Sequence, residues 1–196
     1  MTPMLSRSAL PVGLALAALM AATRSHHFAT VLHLPDASWA VFFLAGVYLR
    51  PLWTLPALIA EPALVDHAAV TWGGVSSFCI NPAYGFLLPA YGSLWLAGRW
   101  YAARHRFQLP TLVPLAAGVF IAVATCELFS SGGFYFFSGR FDPGLTEFGT
   151  RLARYFPLSL AAMAFYVLLA AIVHAALGAV QLNARNKTQT QGLKAH

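Results

Sequence analysis

Charged residues make up only 9% of this 196-residue chain, while 59% are hydrophobic and the mean hydropathy is +0.65. A soluble domain of this length carries roughly 25% charged residues. The shortage argues against an ordinary water-soluble domain and predicts an integral membrane protein, one compact bundle without room for a separate soluble unit. Cysteine is equally scarce. Cys79 and Cys126 alone cannot build a disulfide framework. No Gly-rich loop ends in Lys-Ser or Lys-Thr, so the chain itself shows no ATP-hydrolysing motor. No chain of acids runs through the apolar segments, which weakens a proton pump or an ion channel. The net charge of +6 does not signal nucleic acid, because the basic residues are dispersed near the ends of apolar runs.

What is present is a series of apolar runs with clear punctuation. They predict an all-α bundle of six transmembrane helices near 6–24, 37–49, 51–66, 83–103, 110–130 and 152–182. Residues 1–182 form a single membrane domain, and 183–196 a polar, disordered cytoplasmic tail. The second and third runs are short for a full crossing, which needs about 20 residues. Pro51, Pro56 and Pro62 disturb the third, and one long helix plus a re-entrant piece is the alternative. With the N-terminus inside, Arg7, Arg50, Arg99, Arg104, Arg106, Arg185, Lys187 and Lys194 fall on the inner side. Arg24, Arg140, Arg151 and Arg154 fall outside, in keeping with the positive-inside bias. The first run also has features of a signal peptide, since Arg7 precedes an apolar stretch ending in small residues. Its stripe Ala9, Gly13, Ala17, Ala21 instead suits close helix packing, inside the bundle or against another subunit.

Polar and aromatic residues collect in three outer connections. The first, 25–37, holds His26, His27, His33 and Asp36. The second, beginning after Asp66 and His67, carries Cys79 in a helix-breaking stretch. Irregular backbone near membrane depth survives only where it lines a cavity or a watery mouth. The third, Ser130 to Phe148, exceeds the usual loop length and is too aromatic for disorder. Phe134, Tyr135, Phe136, Phe137 and Phe141 read either as a mobile apolar lid or as an interfacial aromatic belt. Glu61 and His174 are the notable ionisable residues inside apolar runs.

A thiolate selects soft or borderline metals. A zinc site would need three or four ligands in one neighbourhood, and only His67 and Asp66 lie near Cys79 in sequence. A cofactor with one open axial position, haem or a corrinoid cobalt, needs a single protein ligand. Inert packing is the plain alternative for a lone cysteine.

The stretch Ser77-Phe78-Cys79-Ile80-Asn81-Pro82-Ala83-Tyr84-Gly85, the six-span plan and the small-residue first helix resemble the BtuM family. These are small bacterial cobalamin transporters related to the substrate-binding S-components of energy-coupling-factor (ECF) transporters. The resemblance extends over nearly the whole chain, and its distinctive motif is the cysteine segment. It implies an S-component-like bundle in the bacterial inner membrane, both termini cytoplasmic. The vitamin is then held near the outer surface by the connections after helices one, three and five. It assigns Cys79 as the axial cobalt ligand in place of the vitamin's own base, with decyanation of cyanocobalamin as an accessory reaction at Cys79.

Further contacts implied for the corrinoid are Phe78, Asn81, Tyr84, Asp66 and His27, with Arg151 at the phosphate and Tyr135 and Phe136 closing over it. On this reading the chain is a transporter and not an enzyme, with cobalamin as its cargo and no other cofactor. Its partners are the bilayer and, where it is ECF-linked, a coupling subunit and ATPases meeting the small-residue stripe. The competing readings are an S-component for another vitamin and a membrane redox protein using haem or quinone.

Overall fold

The computed structural model describes residues 9–24, 34–74, 82–106 and 108–194, with side chains described as far as 180. Among them the chain is all-helical, with six α-helices. These are α1 (Ala9–Arg24), α2 (Ser38–Tyr48), α3 (Thr54–Trp72), α4 (Leu87–Ala102), α5 (Leu112–Phe137) and α6 (Leu145–Lys194). Short 3₁₀ turns, Pro82–Phe86 and Leu109–Thr111, lead into α4 and α5.

The division at Arg50-Pro51 is real. Proline disfavours helix in the residue before it, and the backbone is already extended at Leu49 (φ −100°, ψ 116°). Thr54 restarts the helix, its hydroxyl donating to Pro51 O at 2.7 Å. Pro56 is harmless in the first turn of α3, where the amide it lacks has no partner anyway. Pro62 lies within α3, yet the helix continues past residue 66 to Trp72. It stops at a glycine pair, Gly73 and Gly74, of which Gly74 takes a left-handed φ of 66°.

Helix α2 is the centre of the bundle. Its 11 residues rise about 16 Å, about half of a hydrocarbon core. Eight of them, Ser38 and Ala40–Gly46, are buried, so it is apolar all round because protein surrounds it. Gly46 and Gly98 allow α2 and α4 to touch backbone to backbone. A Cβ on Gly46 would strike Trp95 O, and one on Gly98 would strike Phe43 O. Phe42, Phe43, Met20, Leu94, Val123 and Met163 fill the core around this contact. Burying side chains of this size contributes about 1.5–3 kcal/mol each.

Two helical stretches, Leu109–Phe137 and Leu145–Val180, are long and apolar enough to cross a membrane. The second is little buried along its apolar part, with Leu158, Leu168, Ile172 and Leu177 among its exposed residues. Such a broad exposed apolar surface is unusual in water and suits a lipid environment or a partner.

Besides the extension of α3 to Trp72, the boundaries of α5 and α6 differ from the sequence reading, α6 starting at Leu145 and not near 152. Helix α5 runs on to Phe137, so the expected outer loop 130–148 shrinks to a link of residues 138–144. The glycines that suggested a loop are packing sites: Phe86 lies against Gly133, and the Phe148 ring is 3.5 Å from where a Gly132 Cβ would stand. The backbone also stays helical to Lys194, where a disordered tail was expected. Residues 182–194 contain no proline and several good helix formers, including Leu182, Arg185 and Lys187.

Candidate functional site

The C-terminal end of α1, the start of α2, the last part of α3 and the start of α4 meet around one guanidinium. Arg24 grips Asp66 in a fork, Nε to Oδ1 at 2.8 Å and Nη2 to Oδ2 at 2.7 Å. Its third nitrogen, Nη1, donates to Ser38 Oγ at 3.1 Å and to the Tyr91 hydroxyl at 3.0 Å. Asp36 stands 4.0 Å from the same nitrogen and accepts from both the amide and the hydroxyl of Ser38. The planar fork of arginine matches a carboxylate, and few other side chains could join four helices in this way. The Arg24 side chain is 12% exposed and that of Asp66 26%, so water screens the pair only partly.

This network also takes hold of the turn downstream of Cys79. Tyr84, in the 3₁₀ turn, donates its hydroxyl to Asp66 Oδ2 at 2.8 Å. Two residues on, Phe86 stacks on Phe137 with ring centroids 4.9 Å apart. The turn thus bridges the Arg24–Asp66 network to the aromatic end of α5.

That aromatic end is a second cluster. Tyr135 is buried, and its hydroxyl lies 3.1 Å from both Asp142 O and Glu147 Oε2 while accepting the Gly144 amide at 3.2 Å. Its ring stacks on Phe141 and Phe148, and Phe136 packs edge-on beside it at 5.0 Å. Arg151 bonds Glu147 at 2.9 Å and covers the Phe141 ring at 4.5 Å. Its charge is already paired, so a phosphate would have to compete with Glu147.

Asp66, Tyr84, Tyr135, Phe136 and Arg151 therefore gather at one end of the bundle, the first two in one cluster and the rest in the other. His27, Phe78, Cys79 and Asn81 lie outside the described residues, as do His26 and His33. The last described residue before the Cys79 segment is Gly74, eight residues beyond Asp66, and the next is Pro82, two before Tyr84. The Tyr84–Asp66 bond therefore ties together the two flanks of that segment.

Sequence reasoning missed Arg24, Ser38, Tyr91 and Phe86. The available signal was Arg24 itself, an arginine on the side where positive charge is disfavoured. The small-residue stripe is half-buried at Ala9, Gly13 and Ala17 and exposed at Ala21. His67 and His174, the pair that a bis-histidine haem would use, do not face each other. His67 adjoins Asp66 on exposed surface, whereas His174 meets Tyr48 at the opposite end. Cys126 is fully buried in the core, where it packs as a small apolar side chain. Among the described residues no three His, Cys, Asp or Glu side chains cluster as a metal site. No family model matches the sequence, and no curated protein matches it.

Proposed function

We propose that this chain is a cobalamin-uptake protein of the BtuM type, spanning the bacterial inner membrane six times. Cys79 serves as the axial cobalt ligand at the outer face. The observation that carries the reading is the Arg24–Asp66–Tyr84 network. It ties Asp66, which precedes the Cys79 segment, to Tyr84, which lies within Ser77 to Gly85, the stretch that resembles the family's cysteine motif. A soft ligand needs rigid supports at either side to meet a metal in one geometry. Partly exposed Asp66 and Tyr84, beside the aromatic surface of Phe86 and Phe137, suit a large ligand with an apolar ring and amide arms.

The orientation follows from charge. The Arg24 end faces outward, and the end holding Arg50, Arg99, Arg104 and Arg106 faces the cytoplasm. Helix α2 is too short to span alone and is carried inside the bundle, as irregular or short elements must be at membrane depth.

The chemistry asked of Cys79 is ligand exchange. The thiolate donates an electron pair to cobalt from below, and cyanide departs above with its own bonding pair. The proton lost by the thiol leaves with it as hydrogen cyanide. Cobalt keeps its oxidation state, so no reductant is required. Solitary uptake and coupling to an ECF module both leave the ligand role of Cys79 unchanged.

The test is spectroscopic. Purified wild-type protein should shift the visible spectrum of added cobalamin, and Cys79→Ala should leave the cobalamin spectrum as it is in buffer. An identical shift in the variant would remove Cys79 as ligand. Failure of cobalamin to compete with another bound vitamin's analogue would favour the S-component reading with a different cargo.

A further inference from the structure

A cavity of about 720 Å³ opens at the end of the bundle opposite Arg24, outside the site described above. Its volume falls in the usual range of ligand pockets, about 300–1,000 Å³. The walls come from the ends of α2 and α4, the start of α5 and one side of α6. Phe43, Val47, Leu112, Leu115, Val167 and Ala171 make its apolar lining. Its rim holds Arg50, Arg99 and Arg106 together with His105 and His174. No Asp or Glu is among the described residues that line it.

The rim is organised. Arg99 Nη1 donates to Arg50 O at 3.1 Å, and its guanidinium lies 4.7 Å from the centre of the Trp95 ring. A carbonyl acceptor holds an arginine in place without cancelling its charge. The His105 and His174 rings meet edge-on at 5.4 Å. The Tyr101 hydroxyl lies 2.8 Å from His105 Nδ1, and that of Tyr48 3.4 Å from His174 Nδ1. Three guanidinium groups beside an apolar slot, with no carboxylate to offset them, are electrostatically incomplete. An anion with an apolar tail completes them.

We infer that this cavity binds one anionic phospholipid of the cytoplasmic leaflet. An acyl chain lies between α5 and α6, and the phosphate sits at Arg50, Arg99 and Arg106. The inference rests on reading the chain as a membrane protein with this end inside. Basic pockets between helices on the cytoplasmic side hold anionic headgroups for this reason. A soluble anion would satisfy the guanidinium groups but not the apolar lining, and a neutral lipid would do the reverse.

The experiment uses the full chain in detergent, stripped of lipid. Phosphatidylglycerol or phosphatidylcholine of identical chains is then added, and retention is read by native mass spectrometry. Phosphatidylglycerol should be retained about tenfold better, and the double substitution Arg50→Gln with Arg106→Gln should reduce the preference to about twofold or less. The charge-keeping pair Arg50→Lys with Arg106→Lys should keep most of it, and Arg154→Gln, on α6 away from the cavity, should leave it intact. Equal retention of the two lipids overturns the site, as does a preference that survives the double substitution. Displacement of the lipid by inorganic phosphate alone reassigns the rim to a soluble anion and also overturns it. A chain recovered from the aqueous fraction without detergent would instead overturn the membrane reading itself. The cobalamin spectrum tests the outer site independently of all these outcomes.

Discussion

At one end of the bundle Arg24 is held by Asp66 through two nitrogens, while Ser38, Tyr91 and Tyr84 complete the network. At the other end Arg50, Arg99 and Arg106 border a cavity whose described lining contains no carboxylate. The first arrangement is closed: each charge has a partner, and the network's work is to hold backbone in place. The second is open, and its charge is available to something that is not part of the chain. Polar groups in a largely apolar bundle thus serve either as clamps or as receptors, and the presence of an opposing charge tells which.

Breaking the clamp should have the largest effect. Asp66→Ala leaves the Arg24 guanidinium partly buried without its carboxylate, a loss of roughly 3 kcal/mol. Thermal melting in detergent should register it. A melting temperature equal to wild type would mean that the pair is a surface ion pair of little consequence.

Tyr84→Phe is the finer cut, removing one charge-assisted bond of about 1.5 kcal/mol while keeping the ring. On the proposed function it should also weaken cobalamin binding, because the flank of the Cys79 segment is released. Unchanged affinity alongside lowered stability would show that the turn supports the fold and not the ligand.

The open end should behave differently. Arg50→Gln removes an exposed charge from a group of like charges, so stability in lipid-free detergent should stay within about 0.5 kcal/mol of wild type. A loss as large as that of Asp66→Ala would erase the contrast between the two ends.

The smallest effect concerns pH. Partial burial, and then the neighbouring His174, lower the pKa of His105 below its usual 6.5. The unfolded chain then binds the proton more readily than the folded one. The contribution of His105 to stability is therefore complete above about 6.5 and lost as pH falls through the folded value. Melting curves between pH 7.5 and about 5 should decline less steeply for His105→Gln than for wild type. Parallel curves would show that His105 contributes nothing to the slope.

Much of the fold was legible in the sequence because apolar runs and prolines are local signals. The break at Arg50-Pro51 is one of the two arrangements that the prolines allowed, and steric exclusion before Pro51 favours it. The end of α5 was not legible, because Gly132 and Gly133 announce a loop unless Phe86 and Phe148 are known to pack on them. Pro62 was read as disturbing a run that ends near 66, yet the helix continues to Trp72. For the site, Asp66 and Tyr84 were singled out by their nearness to Cys79, and both belong to one network. Arg24 was read as a topology marker, since nothing local links it to a carboxylate 42 residues away. Partners across that distance become visible only once the helices are assembled.

The central claim is that Cys79 ligates cobalt. The direct measurement is the visible spectrum of cobalamin with purified wild-type protein and with Cys79→Ala, each protein in excess over vitamin. The account predicts a displaced spectrum for wild type and the spectrum of free cobalamin for the variant. No displacement with either protein, or the same displacement with both, would contradict it.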